Sequence, residues 1–185
     1  MNRIASPAQL RASFLRWALF LVPAITLAGF LSGRAAGSGP GNPWFDGLVK
    51  PAIFPPPATF GIVWTVLYIM MGLSLALICA ARGARGRGLA ILLFILQLAL
   101  NLAWSPVFFG AHQITYGLVI IGLLDVMVLL TIFAVWRVRR AAAVLLLPYL
   151  AWVLFATVLN YQFLIANPDA DGAEGSHNAV QRITL

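Results

Sequence analysis

Two carboxamides, Gln97 and Asn101, are followed by two large rings, Trp104 and Phe108, at spacings of i, i+4, i+7 and i+11. On a helix of about 3.6 residues per turn these four side chains share one stripe. Such a stripe can grip a flat apolar molecule between its rings while the amides meet a polar edge. It can equally be packing, with the amides only tying neighbouring helices together. Tyr149, Trp152, Ala156 and Leu159 repeat the spacing, with small Ala156 leaving room between large neighbours, and Trp64, Tyr68 and Met71 offer a third set. The parts for covalent or metal chemistry are scarce. With two His, one Cys and no paired carboxylates inside an apolar run, metal-ligand clusters and Cys/His or Ser/His/Asp arrangements cannot be assembled. His112, in a short loop, reads as an interfacial residue rather than a haem ligand, and the segment from Arg82 to Gly88 lacks the preceding strand and Lys-Ser/Thr ending of a phosphate loop.

The elements that must position these stripes are apolar runs. Hydrophobic residues make up 62% of the 185, charged residues 9%, and mean hydropathy is +0.93, which excludes a soluble domain. Five runs are long enough to cross a bilayer: Trp17 to Leu31, Phe60 to Ala81, Leu89 to Phe109, Ile114 to Trp136 and Ala141 to Ile165. Without water to satisfy backbone groups, such runs must be helices. The expected fold is therefore all-α, a polytopic membrane protein built as a five-transmembrane-helix bundle over 17–166, after a basic segment at 1–16. The first run is short, follows Arg3, Arg11 and Arg16 and precedes Ala35 and Ala36, so a cleaved leader is an alternative reading of it.

The net charge of +7 comes from clusters between the runs. No aromatic interleaving accompanies them, so nucleic-acid binding is not expected. Nine basic residues, Arg3, Arg11, Arg16, Arg82, Arg85, Arg87, Arg137, Arg139 and Arg140, fall on one side of a five-span topology, against Arg34, Lys50 and Arg182 on the other. That bias places the N-terminus inside and the C-terminus outside. Cys79 lies within a run and reads as small packing. Gly29 with Gly33, and Ala99 with Ala103, are small-residue pairs compatible with a dimer.

Three segments stand apart. The loop 32–59 carries eleven Gly and Pro residues from Gly33 to Pro57, which rule out regular helix, together with Trp44, Phe45, Leu48, Ile53 and Phe54. It should fold either as a lid over the bundle end or as an anchor with Trp44 and Lys50 at headgroup level. Asp125 falls mid-span, where it either binds a proton or ligand or, as a neutral carboxyl, ties its helix to Asn160 or Thr157. The residues after the last run, 167–185, are polar and include His177; they read as a mobile tail with no packed role.

At these residues the chain resembles the TspO/MBR family, the tryptophan-rich sensory proteins of bacteria and the mitochondrial translocator proteins. The resemblance covers about Trp44 to Asn160. It runs through Trp44-Phe45-x-x-Leu48-x-Lys50-Pro51 and Pro55-Pro56, Val63-Trp64-x-x-Leu67-Tyr68, Gln97-Leu98-Ala99-Leu100-Asn101-x-x-Trp104 with Phe108-Phe109-Gly110, and Pro148-Tyr149-Leu150-Ala151-Trp152 with Phe155-Ala156-Thr157-Val158-Leu159-Asn160.

The resemblance implies a bacterial inner- or outer-membrane bundle, usually dimeric, whose first loop closes over a pocket for porphyrins such as protoporphyrin IX and other lipophilic ligands. No cofactor is required, and the partners are the porphyrin, membrane lipid and a second copy. It also favours a retained first helix over a leader. Trp64 and Trp152 match tryptophans associated with porphyrin binding and its light-dependent breakdown. The implied ligand-binding set is Trp44 on the covering loop, then Trp64, Tyr68, Asn101, Trp104, Phe108, Tyr116, Leu123, Tyr149, Trp152, Ala156 and Leu159. Three functions are compatible with it: a receptor or transporter in tetrapyrrole regulation or stress sensing, a light- and oxygen-dependent porphyrin-degrading enzyme acting through Trp64 and Trp152, or a sensory scaffold for a partner protein. Departures are informative. Ile53 and Ala58 stand where many members have loop tryptophans, and Tyr116 where mammalian members have a pocket tryptophan. Tyr161 lacks the following basic residue of a sterol motif, which makes sterol binding there doubtful, and the family acid aligns nearer Ile120 than Asp125.

Overall fold

The computed structural model describes residues 7–172. Five helical segments are long and apolar enough to span a membrane, and together they make an all-α bundle. Helix α1 is Pro7–Ala35, and a short α2, Pro43–Gly47, lies in the first loop. Helix α3 is Pro57–Ala80, α4 is Arg87–Ser105 and α5 is Ile114–Val138. The fifth span is broken into α6, Arg140–Val144, and α7, Leu147–Ala166.

Local chemistry sets these boundaries. The run Pro55-Pro56-Pro57 bars helix before α3 and then starts it, because proline is pre-shaped for the first turn and needs no N–H partner there. Asn42 caps α2, its side-chain oxygen accepting from the Phe45 backbone N–H at 3.1 Å. Proline also interrupts. At the end of α4, Pro106 cannot donate to the helical ladder, and residues Pro106–Gly110 widen into a π-turn closed by Ala111 N–H to the Pro106 carbonyl at 2.8 Å. That turn swings Phe108 and Phe109 inward, where both are buried. A second break, at Leu145–Leu146, precedes Pro148 and re-aims α7.

The spans pack in the circular order α3, α1, α4, α5, α6–α7, and α7 itself meets α3 only along a thin seam. Helix α1 extends well past the expected Trp17–Leu31 at both ends and is built into the ring. Gly72 of α3 lets the two backbones touch: a Cβ there would stand 2.6 Å from Val22 Cα. A Cβ on Gly29 would stand 2.1 Å from the Tyr68 ring. Gly29 is therefore used within the chain, where the Gly29–Gly33 spacing alone was compatible with a contact between copies.

The half of the bundle bearing the arginine loops is solidly filled. Met71, Ile78, Phe94, Val128, Val135, Ala142, Ala143 and Leu146 are all about fully buried, Ser74 donates to the Ala142 carbonyl at 2.8 Å, and Arg87 caps α3 by donating to the carbonyls of Ile78 and Cys79 at 3.1 and 3.0 Å. A second core lies at the other end, where Trp44, Phe45 and Leu48 of the first loop are buried with Phe108, Phe109, Leu159 and Phe163. The loop thus lies over the bundle end, and Trp44, at 8% exposure, is an internal strut rather than a headgroup anchor.

The expected mobile tail is corrected for its first part. Residues 167–172 are docked, and hydrogen bonds account for it. Asn167 receives the Val49 N–H at 2.7 Å and donates to the Val49 carbonyl at 3.0 Å, pairing with the loop as a strand would. The Trp44 indole donates to the Ala170 carbonyl at 3.1 Å. Asp171 accepts from the Ile114 and Thr115 N–H groups at 2.6 and 3.2 Å, filling the open start of α5. Residues 173–185, with His177, lie outside the described part.

Candidate ligand cavity

Between the packed half and the loop lies a cavity of about 520 Å³, within the range of small-molecule and cofactor sites. Each helix of the ring contributes. Phe60, Trp64 and Tyr68 recur every fourth residue of α3; Asn101, Trp104 and Phe108 come from α4 and its π-turn; Ile121 and Leu124 from α5; and Trp152, Ala156, Leu159 and Phe163 from α7. Phe45 and Phe54 of the loop roof it, and Gly29 of α1 opens one wall.

The rings are held in pairs. Trp64 stacks on Tyr68 with centroids 5.2 Å apart, Trp104 on Phe108 at 4.9 Å, and Phe60 meets Trp152 edge-on at 5.8 Å. Such contacts fix indole orientation before any ligand arrives. The Trp152 Nε1–H is buried and has no hydrogen-bond partner among the described residues.

The polar groups mostly bond to each other. Tyr68 donates to Asn101 Oδ1 at 3.0 Å, Asn101 Nδ2 to the Tyr149 hydroxyl at 3.1 Å, and Tyr149 to Gln97 Oε1 at 2.9 Å. This chain crosses from α3 through α4 to α7 and forms the cavity floor. Higher up, Trp104 Nε1 donates to Asn160 Oδ1 at 3.1 Å, and Asn160 Nδ2 to the Ile114 carbonyl at 3.0 Å, joining α4, α7 and α5. In an apolar medium these bonds are the groups' alternative to having no partner.

Of the twelve residues expected to bind ligand, eight line this cavity: Trp64, Tyr68, Asn101, Trp104, Phe108, Trp152, Ala156 and Leu159. Four do not. Tyr149 is fully buried within the floor, and its side chain does not line the space. Trp44 sits behind Phe108, edge-on at 5.5 Å, and stacks on His112 at 4.8 Å, so the loop meets the cavity through Phe45 and Phe54 instead. Tyr116 and Leu123 face out of the bundle at 64% and 53% exposure. Helix α5 buries Gly117, Ile121, Leu124 and Val128, spaced i, i+4, i+7 and i+11, and that register leaves residues 116 and 123 off the inner face. Met71, also considered for a stripe, is fully buried in the packed half.

Sequence reasoning missed Phe60, Phe109 and Phe163. Phe60 precedes Trp64 by four and Phe163 follows Leu159 by four, so extending the stripes by one turn finds both; Phe109 depends on the π-turn, which has no helical period. Asp125 is tied as one of its expected roles required, with Thr157 Oγ1 donating to Oδ2 at 2.8 Å; its Oδ1 is buried without a partner among the described residues.

On the roof, Lys50 is spent on structure. Its ammonium donates to the Phe45 carbonyl, to the Leu48 carbonyl at 3.0 Å, and lies 4.2 Å from the Phe45 ring centroid. Burial lowers its pKa below the ordinary lysine value, and the nearby Asp46 carboxylate partly offsets that.

Comparison with known proteins agrees with this architecture. The sequence profile of the TspO/MBR family matches residues 19–165. The tryptophan-rich protein TspO of Chlorobaculum tepidum is 43% identical over 130 residues, 70% of this chain and 82% of its own length. The translocator protein of Sus scrofa is 42% identical over 143 residues, covering 76% and 83%. The tryptophan-rich sensory protein of Cereibacter sphaeroides is 33% identical over 156 residues, covering 82% and 92%.

Proposed function

This chain belongs to the TspO/MBR family and is a multi-pass integral membrane protein, and from that premise we propose that it is a receptor or transporter that takes up a tetrapyrrole such as protoporphyrin IX in the cavity beneath the first loop. One observation carries the reading: Trp64 and Trp152, from helices on either side of the thin α3/α7 seam, line the same cavity of about 520 Å³. A porphyrin is a broad apolar plate, and indole and phenyl faces are the surfaces it stacks on. The loop excludes water from the bound plate, and the hydrogen-bonded floor keeps the walls in place without needing the ligand. The arginine-rich end faces inward by the charge bias, so the covered mouth opens to the outer side. Protein of this family that senses rather than moves its ligand would use the same pocket, with the docked loop and residues 167–172 as the surface that reports occupancy. A second copy completes the assembly.

Adding protoporphyrin IX to the purified protein quenches its tryptophan fluorescence with saturation. Trp152→Ala weakens that binding about tenfold, the loss of one stacked ring and its buried area. Unsaturable quenching, or wild-type affinity in the variant, overturns the assignment. The two indoles at one cavity also suit porphyrin breakdown, in which illuminated pigment activates oxygen beside oxidisable rings. That reading requires light- and oxygen-dependent loss of porphyrin absorbance that disappears in Trp64→Phe and Trp152→Phe; bound pigment that survives illumination rejects it.

A further inference from the structure

The cavity has a mouth, and its position follows from which lining residues are exposed. Phe30 and Arg34 at the end of α1, Ser38 and Pro40 just after it, and Pro57 and Gly61 at the start of α3 are all both lining and exposed. Arg34 is the only charged side chain among the residues that line the cavity. It lies in the last turn of α1, and among the described residues its guanidinium has no hydrogen bond or ion pair. Three other charges of this end are committed elsewhere. Lys50 is held by the carbonyls of Phe45 and Leu48, Asp46 accepts from the Gly41 N–H at 2.9 Å, and Asp171 fills the start of α5.

From this we propose that Arg34 is the specificity residue of the cavity, anchoring a carboxylate carried on the edge of the planar ligand. The site then selects amphipathic acids, apolar across the plate and anionic at one rim, over neutral plates of the same shape. A guanidinium suits this because its planar fork matches a carboxylate with two parallel N–H···O bonds and stays charged at any working pH. The geometry also orients the ligand: the rings grip the plate inside, and the acid stays at the lip, so no charge crosses the apolar interior. The assignment rests on the tetrapyrrole reading above and adds to it which edge of the ligand leads and which chemical form is preferred.

Protoporphyrin IX and its dimethyl ester separate the two ideas, since they share the plate and differ in charge. In nanodiscs of zwitterionic lipid, the wild type should bind the free acid roughly fivefold more tightly than the ester, the scale of a partly exposed ion pair. Arg34→Gln should bind the ester as the wild type does, which shows that the variant is folded, while its affinity for the acid falls to the ester's level. Arg34→Lys should recover part of the preference. Adding anionic lipid tests the other source of the same chemistry, a phospholipid headgroup phosphate. An acid preference that survives the addition assigns Arg34 to the ligand; one abolished by it assigns Arg34 to lipid and overturns the proposal. Equal binding of acid and ester by the wild type, or an undiminished preference in Arg34→Gln, overturns it while leaving the tetrapyrrole reading standing. Binding of neither form overturns both.

Discussion

At the arginine-rich end, small residues let the helices close until side chains fill the interior; at the loop end, large rings hold the same helices apart around a space. Gly72, Ala142 and Ala143 serve the first arrangement, and Val22 packs directly on the α3 backbone. In the second, Trp64, Trp104 and Trp152 are braced by neighbouring rings and stay only partly buried. Between the two regions runs the floor of Tyr68, Asn101, Tyr149 and Gln97. Both regions are apolar, so hydrophobicity does not distinguish them. What differs is side-chain size: the packed half spends small residues on close approach, and the loop half keeps its rings facing the cavity. Stability should therefore reside mainly in one region and binding in the other.

The largest expected effect attacks the packed half. Gly72→Leu forces α1 away from α3, because the new side chain meets backbone at Val22, and it should destabilise the bundle by about 3 kcal/mol. A detergent thermal-melt assay reads this as a large fall in midpoint; an unchanged melt would mean that α1 does not rely on this contact. Next comes the floor. Tyr149→Phe removes one hydroxyl and strands the Asn101 amide and the Gln97 oxygen together, for about 1–2 kcal/mol. It should lower stability and also loosen ligand binding, since it lies on the boundary; loss of binding with an unmoved melt would place Tyr149 with the cavity instead.

The loop supplies a sharper contrast. Asn167→Ala deletes both hydrogen bonds to Val49, about 1 kcal/mol of local rather than global stability. Hydrogen exchange at Leu48 to Lys50 should accelerate while that of α4 and α5 stays unchanged, and porphyrin should associate faster. Uniform acceleration would show that the docked segment stabilises the whole bundle. The smallest effect belongs to Lys50. Its pKa is lower in the folded loop than in an unfolded chain, so the folded state loses a proton first, and loop docking gains stability as pH rises through that window toward the ordinary lysine pKa. The gain is partial because the side chain is only half-buried and the Asp46 carboxylate favours its charged form. Lys50→Met should flatten the dependence of loop exchange on pH as it rises toward the ordinary lysine pKa, after correction for intrinsic rates; a slope of the opposite sign would mean that the charged form is the one favoured.

Much of this was legible beforehand because the signals are local. Span lengths, the prolines before α3, and the stripe from Gln97 to Phe108 follow from backbone chemistry and helical period, and the structure places Asn101, Trp104 and Phe108 together on the cavity wall. The α7 stripe was equally readable from Trp152 on, and ran one turn further than expected, to Phe163. Asp125 met Thr157, one of the two partners expected for a neutral carboxyl there.

The amino-acid order by itself determined that there are five spanning helices, the approximate bounds of the last four, and which side chains share a helical face. Only the tertiary structure decided which face turns inward. In lipid the outside of a helix is as apolar as the inside, so α5 carries no amphipathic signal, and whether Tyr116 and Leu123 or Ile121 and Leu124 line the cavity depends on the neighbours that α5 packs against. The same holds for the residues without a period. Trp44 and residues 167–172 are placed by hydrogen bonds between segments more than a hundred residues apart, and no local pattern encodes a partner at that distance.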